Sequence, residues 1–150
     1  MRPHEVPKLD LLADALSGDD AAWAREHLTS DVVAWLTTVA PDGRPQSSLI
    51  SFLQDGATIF FYSKPETPKL RNIARSSLVS FHLRSDPFGD HALIVEGRAE
   101  VDPSIPPSDV HEAYRSKYRG PLAHWGMDEA ETAASFSVPI RIRPTRVRAS

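Results

Sequence analysis

The stretch Tyr62-Ser63-Lys64-Pro65-Glu66-Thr67-Pro68-Lys69-Leu70-Arg71-Asn72-Ile73 constrains the fold most, because it runs a strand directly into a helix. Thr67 has the side chain of an N-cap and Pro68 suits the first helical position. Leu70, Ile73 and Ala74 then recur at helical spacing, so a helix begins at Lys69, give or take a residue. A lysine in a first turn opposes the helix dipole at a cost of up to about 1 kcal/mol. A bound anion reverses that sign: the free backbone N–H groups, the Thr67 hydroxyl, Ser63 and the ammonium groups of Lys64 and Lys69 together suit a phosphate ester. The same residues also read as a solvated lysine on an ordinary helix start, and the junction alone does not separate the two.

Around the junction the pattern is mostly of period two. Two short helical pieces, Leu9 to Leu16 and Asp20 to Leu28, precede a β-branched and aromatic run from Val33 to Val39. Pro41-Asp42-Gly43 closes a hairpin onto a strand from Pro45 to Leu53, and Asp55-Gly56 closes the next onto Thr58 to Ser63. After the junction helix come strands Leu78 to Leu83 and Ala92 to Val101, joined through Asp86-Pro87-Phe88-Gly89-Asp90. Pro107 to Tyr118 reads as a packing helix stopped by Gly120-Pro121, and Asp128 to Ala134 as a short one. Phe136 to Arg143 alternates as a last strand whose prolines suit a sheet edge. The sum is six antiparallel strands with flanking helices, a small barrel rather than a doubly wound sheet. At 150 residues this is one domain, with residues 1–31 a helical segment packed on a barrel of residues 32–150.

A net charge of −3 gives no support for nonspecific nucleic-acid binding, and the absence of cysteine removes disulfides, thiolate metal sites and a cysteine nucleophile. The six histidines are too scattered to suggest a metal site. No Gly-x-Ser-x-Gly, His-Glu-x-x-His or Gly-x-Gly-x-x-Gly pattern occurs, so hydrolase, zinc-protease and Rossmann chemistry have no support. The polar, acidic opening lacks the form of a secretory signal and no run reaches membrane-span length, so a soluble, cytoplasmic protein is expected.

Two motifs, Asp42-Gly43-Arg44-Pro45-Gln46-Ser47-Ser48-Leu49-Ile50 and Lys69-Leu70-Arg71-Asn72-Ile73, follow each other in the order of elements just described. With the ending Pro139-Ile140-Arg141-Ile142-Arg143-Pro144-Thr145-Arg146-Val147, the chain resembles the pyridoxamine 5'-phosphate oxidase-like split-barrel superfamily, and within it the deazaflavin branch that uses coenzyme F420. The resemblance runs from about Val32 to the C-terminus. It implies a homodimer with two cofactor clefts at the subunit interface, each drawing on both chains. Carried over by position, Gln46, Ser47, Ser48, Leu49 and Ile50 would run beside the ring, Tyr62 and Ser63 would flank the ribityl chain, and Lys69 would bind the phosphate. Many relatives carry an arginine two residues before that lysine; Thr67 stands here, and Lys64 is the residue to replace the missing charge. Phe88 lies where relatives place an aromatic residue that reaches the other subunit's cofactor, and it reads equally as a plug for its own core.

FMN and the deazaflavin both carry a ribityl phosphate, so ring and tail must separate them. The acidic tail of coenzyme F420 calls for further cations, for which Arg71, Arg75, Lys117 and Arg119 are available, although such residues are commonly solvated. The expected function is a coenzyme F420-dependent oxidoreductase acting on an unsaturated or conjugated small molecule. The alternatives are an FMN-dependent oxidase or reductase and a noncatalytic flavin or tetrapyrrole carrier. Pyridoxamine phosphate oxidases end in an Arg-x-His type of motif where this chain has Arg146-Val147-Arg148, so vitamin B6 oxidation is not expected. Hydride chemistry belongs to the cofactor, and the protein positions the substrate and excludes water. Tyr62, His82 and His91 are candidate proton donors, though a strand histidine is commonly structural. Trp125 would be available to wall the substrate space, but a lone tryptophan after a helix is more commonly a packing anchor, and Trp125, Trp23 and Trp35 all read as packing residues.

Overall fold

The computed structural model describes residues 11–149. Leu9 and Asp10, the start of the first expected helical piece, lie outside the described residues. The rest of that piece forms a single 3-10 turn, Leu12–Ala15, before α1, Gly18–Ser30. Seven strands follow: β1 (Ala34–Val39), β2 (Pro45–Ile50), β3 (Leu53–Asp55), β4 (Thr58–Ser63), β5 (Leu78–His82), β6 (Leu93–Val101) and β7 (Val138–Ala149). Helix α2 (Pro68–Arg75) joins β4 to β5, while α3 (Glu112–Trp125) and α4 (Glu129–Ser135) join β6 to β7.

All strand pairs are antiparallel, in the order β2-β1-β5-β6-β7-β4-β3. The edge strands β2 and β3 are consecutive in the chain, separated only by Ser51 and Phe52. Three Cα steps of about 3.8 Å cannot bridge more than about 11 Å, so the sheet must curl until its edges approach. The result is the expected antiparallel split barrel with flanking helices, with seven strands rather than six. The extra one comes from a break in the expected Pro45 to Leu53 strand. At the break the backbone groups of Phe52 bond to α3: its N–H donates to Tyr118 Oη at 2.7 Å, and its carbonyl accepts from Lys117 Nζ at 3.0 Å.

The main core lies inside the curl and is closed by the N-terminal segment, with Leu12, Ala13, Ala24 and Leu28 against Leu36, Phe52, Ile59, Phe61, Phe81 and Ile140. A second cluster, Phe60, Tyr62, Ile105, Tyr114 and Tyr118, lies under α3 on the other face of β4. Both faces of β4 are therefore covered, which explains why Ile59-Phe60-Phe61-Tyr62 is continuously apolar rather than alternating.

Two expectations are corrected. First, Gly120-Pro121 does not stop the helix: α3 runs through both residues to Gly126, whose φ of 68° ends it. Pro121 forgoes one intrahelical bond, but Leu122 packs on the second cluster, and Met127 N–H donates to the Leu122 carbonyl at 2.9 Å to close the end. Second, β7 is not an edge strand, since it pairs with β4 on one side and β6 on the other. Pro144 is tolerated because it lies beyond the last β4 pair, Ile59↔Ile142, at a bulge opposite Gly97. A Cβ on Gly97 would sit 2.5 Å from the Arg143 carbonyl oxygen, so the bulge requires glycine there. Among the described residues no helix is long and apolar enough to cross a membrane.

Candidate functional site

The junction forms as its residues dictate. Thr67 caps α2, its Oγ1 accepting from Leu70 N–H at 3.4 Å, and Pro68 is the first helical residue. Between strand and helix, Glu66 adopts a left-handed φ of 63°, an uncommon conformation for a residue with a side chain. The Arg71 guanidinium donates to its carbonyl and holds the turn. Ser63 is buried, donates to the Lys64 carbonyl at 2.8 Å and lies 3.1 Å from Thr67 Oγ1. Its hydroxyl thus serves the turn itself.

Lys69 lies in the first turn of α2 and half-buried. Among the described residues its ammonium has neither a hydrogen-bond nor an ion-pair partner, and burial lowers its pKa. It opens into a cleft of about 230 Å³ bounded by the end of β2, by β4 and by α3 and α4. Leu49, Ile50 and Tyr62 line the same cleft, as do Tyr114, Tyr118, Trp125 and Phe136. All three tyrosines of the chain therefore meet there. Their rings are fixed by one another, Tyr114 stacking on Tyr118 at 4.5 Å between centroids and meeting Tyr62 edge-on at 4.9 Å. Lys64 is exposed and does not line the cleft, but its Nζ lies 5.3 Å from the centre of the ring of Phe136, which does.

The other expected site residues are distributed differently. Gln46 lies at the far end of β2, where its Oε1 accepts from Asn72 Nδ2 at 2.7 Å. Ser47 bonds Thr37 across the strands at 2.8 Å, and Ser48 is half-buried on the opposite face. None of these three lines the cleft. Phe88 is 90% exposed in the β5–β6 loop, so it does not plug the core of its own chain. Of the four further cations, Arg119 lines the cleft, whereas Arg71 and Arg75 border a groove with Arg44 and Gln46. Lys117 points elsewhere, with its Nζ 3.8 Å from the centre of the Phe52 ring.

The proton-donor candidates separate too. His82 lies on the face of β5 beside Trp35, outside the cleft. His91 stacks on Trp23 at 5.7 Å, and its Nδ1 is buried without a hydrogen-bond partner among the described residues. Tyr62 lines the cleft but donates its hydroxyl to the Pro106 carbonyl at 2.5 Å, and burial raises its pKa. Trp125 is 41% exposed and takes the wall position rather than the anchor. Trp23 packs on the main core, as expected, while Trp35 is an exposed strand residue.

Sequence reasoning missed Ser108, Tyr114, Arg115 and Glu129, all of which line the cleft. Arg115 pairs with Glu129 across the α3–α4 turn. The signal lay in a helix read only as packing: Tyr114, Arg115, Tyr118 and Leu122 recur every three or four residues and form one face.

The cleft offers cations beside aromatic walls, which suits a planar, anionic ligand. No curated protein matches the chain. Among solved structures it is similar to a Listeria innocua protein assigned as a pyridoxamine 5'-phosphate oxidase, with 26% identity over 85% of this chain and 95% of that one, TM-score 0.62. It is also similar to an F420 reductase, with 28% identity over 83% and 94% of the two chains, TM-score 0.63. A heme storage protein from Vibrio cholerae shares the fold at 18% identity over 85% and 92%, TM-score 0.60. The family model described as pyridoxamine 5'-phosphate oxidase matches residues 22–150, and the chain belongs to that family.

Proposed function

We propose that this protein is a coenzyme F420-dependent oxidoreductase that acts on a conjugated small molecule and works as a homodimer. The observation that carries the reading is Lys69, whose half-buried ammonium has no counter-ion among the described residues and opens into an aromatic cleft from the first turn of α2. Desolvating a lysine without a counter-ion is costly, and a phosphate ester would remove that cost. The likeness to an F420 reductase supports the deazaflavin over other groups with the same phosphate.

The residues fit the group in chemistry. Lys69 and the first turn of α2 would hold the phosphate, Leu49 and Ile50 the ring edge, and Arg119 the acidic tail, with Lys64, near Phe136, in place of the arginine that relatives carry. Gln46, Ser47 and Ser48 would act through the strand backbone or by bracing it, since their side chains do not reach the cleft. When bound, the deazaflavin supplies hydride transfer; the chain binds it, orients the substrate over the ring and excludes water. A cleft of about 230 Å³ is below the range of roughly 300 to 1,000 Å³ usual for a whole small-molecule site. A second copy would complete it, and the exposed Phe88 is the residue placed to reach across.

The same phosphate site suits FMN, which is the second reading. A histidine-ligated tetrapyrrole is less suited, because among the described residues no histidine lines the cleft. Lys69→Ala should weaken cofactor binding by about 1.5 to 3 kcal/mol, the range for a hydrogen bond to a charged group, as read by calorimetry. Unchanged affinity would remove Lys69 from the phosphate site.

A further inference from the structure

The three tyrosines of the cleft differ in what their hydroxyls do. Tyr62 donates to the Pro106 carbonyl. Tyr118 Oη accepts from Phe52 N–H and lies 2.8 Å from the carbonyls of both Phe52 and Val32. Tyr114 is only 9% exposed, yet among the described residues its hydroxyl has no hydrogen-bond partner. Ser108, in the turn that precedes α3, is 6% exposed and likewise has none. Neither oxygen is sealed from solvent; among the described residues His91 Nδ1 is the sealed side-chain atom that lacks a hydrogen-bond partner. Both residues line the same cleft.

Each hydroxyl is free of protein partners among the described residues and open to water, so a ligand oxygen that accepts from both would take the place of that water. We propose that Ser108 and Tyr114 form a two-hydroxyl subsite that takes the carbonyl oxygen of a planar, conjugated substrate. The proposal rests on the cleft being the cofactor and substrate site. A carbonyl oxygen has two lone pairs in its plane and accepts from two donors. Burial raises the Tyr114 pKa, so its phenol stays protonated and donates. The rings of Tyr118 and Tyr62 hold that of Tyr114 in place, so its hydroxyl is oriented before a ligand arrives. The walls formed by Tyr62, Tyr118 and Trp125 favour a flat partner.

The test compares menadione, a planar quinone, with 2-methylnaphthalene, which has the same ring skeleton without the carbonyls. Binding to the purified protein is followed by quenching of intrinsic fluorescence, with and without coenzyme F420, for wild type, Tyr114→Phe, Ser108→Ala and the double variant. Wild type should prefer menadione, and the double variant should lose about tenfold of that preference while binding 2-methylnaphthalene unchanged. Tyr114→Phe should also keep the wild-type melting temperature, whereas Tyr118→Phe should lower it. The proposal is overturned if the double variant keeps the full preference, or if Tyr114→Phe melts as early as Tyr118→Phe. Because the hydroxyls are read without cofactor as well, failure to bind coenzyme F420 would sink the proposed function and leave this comparison intact.

Discussion

Asn72 donates its side-chain amide to Gln46 Oε1 across 2.7 Å, which ties the middle of α2 to edge strand β2. The same nitrogen donates to Thr38 Oγ1 at 3.0 Å, and Asn72 is buried. The two motifs that carried the family resemblance therefore meet directly in space. Asn72→Ala would remove both bonds and leave the buried Thr38 Oγ1 without its donor, so it should destabilise the protein by about 1 to 3 kcal/mol in urea unfolding. It should also weaken cofactor binding, because α2 carries Lys69. A variant as stable as wild type would show that the amide does not brace the helix.

Gly97 predicts an effect of similar size at a residue that does not line the cleft. The Cβ of Gly97→Ala would press on the Arg143 carbonyl, a backbone atom in the longest strand pairing of the sheet. A loss of about 1 to 3 kcal/mol is expected by thermal or urea unfolding, the range for overpacking. Wild-type stability would mean that the bulge opens readily.

Lys117 gives a pH signature. Burial lowers its pKa to about 8, against an ordinary value near 10.5. Between those two values the folded chain binds fewer protons at this site than the unfolded chain, so its contribution to stability rises with pH. Below about 8 both states are protonated and the gain is absent. The stability of wild type relative to Lys117→Met should therefore climb from pH 8 to pH 10, by no more than about 1.4 kcal/mol per unit. A flat difference would place the ammonium in water rather than over the Phe52 ring.

Tyr118→Phe should cost more than its single oxygen suggests. That hydroxyl bonds the strand break at Phe52 and lies within reach of Val32, joining α3 to the break between β2 and β3 and to the chain just before β1. The expected loss is about 1 to 3 kcal/mol by urea unfolding, since a buried backbone N–H is left without a partner. A loss below about 0.5 kcal/mol would show that water replaces the hydroxyl.

Local chemistry was legible in the sequence where local chemistry decides the structure. Thr67, Pro68 and the apolar spacing after them marked the start of α2, and Asp55-Gly56 marked the β3–β4 turn, where Gly56 has a positive φ of 60°. Long-range contacts were not legible. The strand break at Ser51-Phe52 depends on Tyr118, 66 residues away from Phe52. Gly120-Pro121 reads as a stop signal, yet the packing of Leu122 carries α3 past it. Of the residues lining the cleft, Lys69 was singled out by the junction itself, whereas Leu49, Ile50 and Tyr62 entered through the family resemblance. Ser108, Tyr114, Arg115 and Glu129 could not be placed from the sequence, because their place depends on how α3 and α4 lie across β4.

The most direct test of the central claim is to titrate the purified apoprotein with coenzyme F420 and, separately, with FMN, by calorimetry at matched salt. The account predicts micromolar or tighter binding of the deazaflavin and much weaker binding of FMN. The reverse preference, or failure of both to bind, would contradict it.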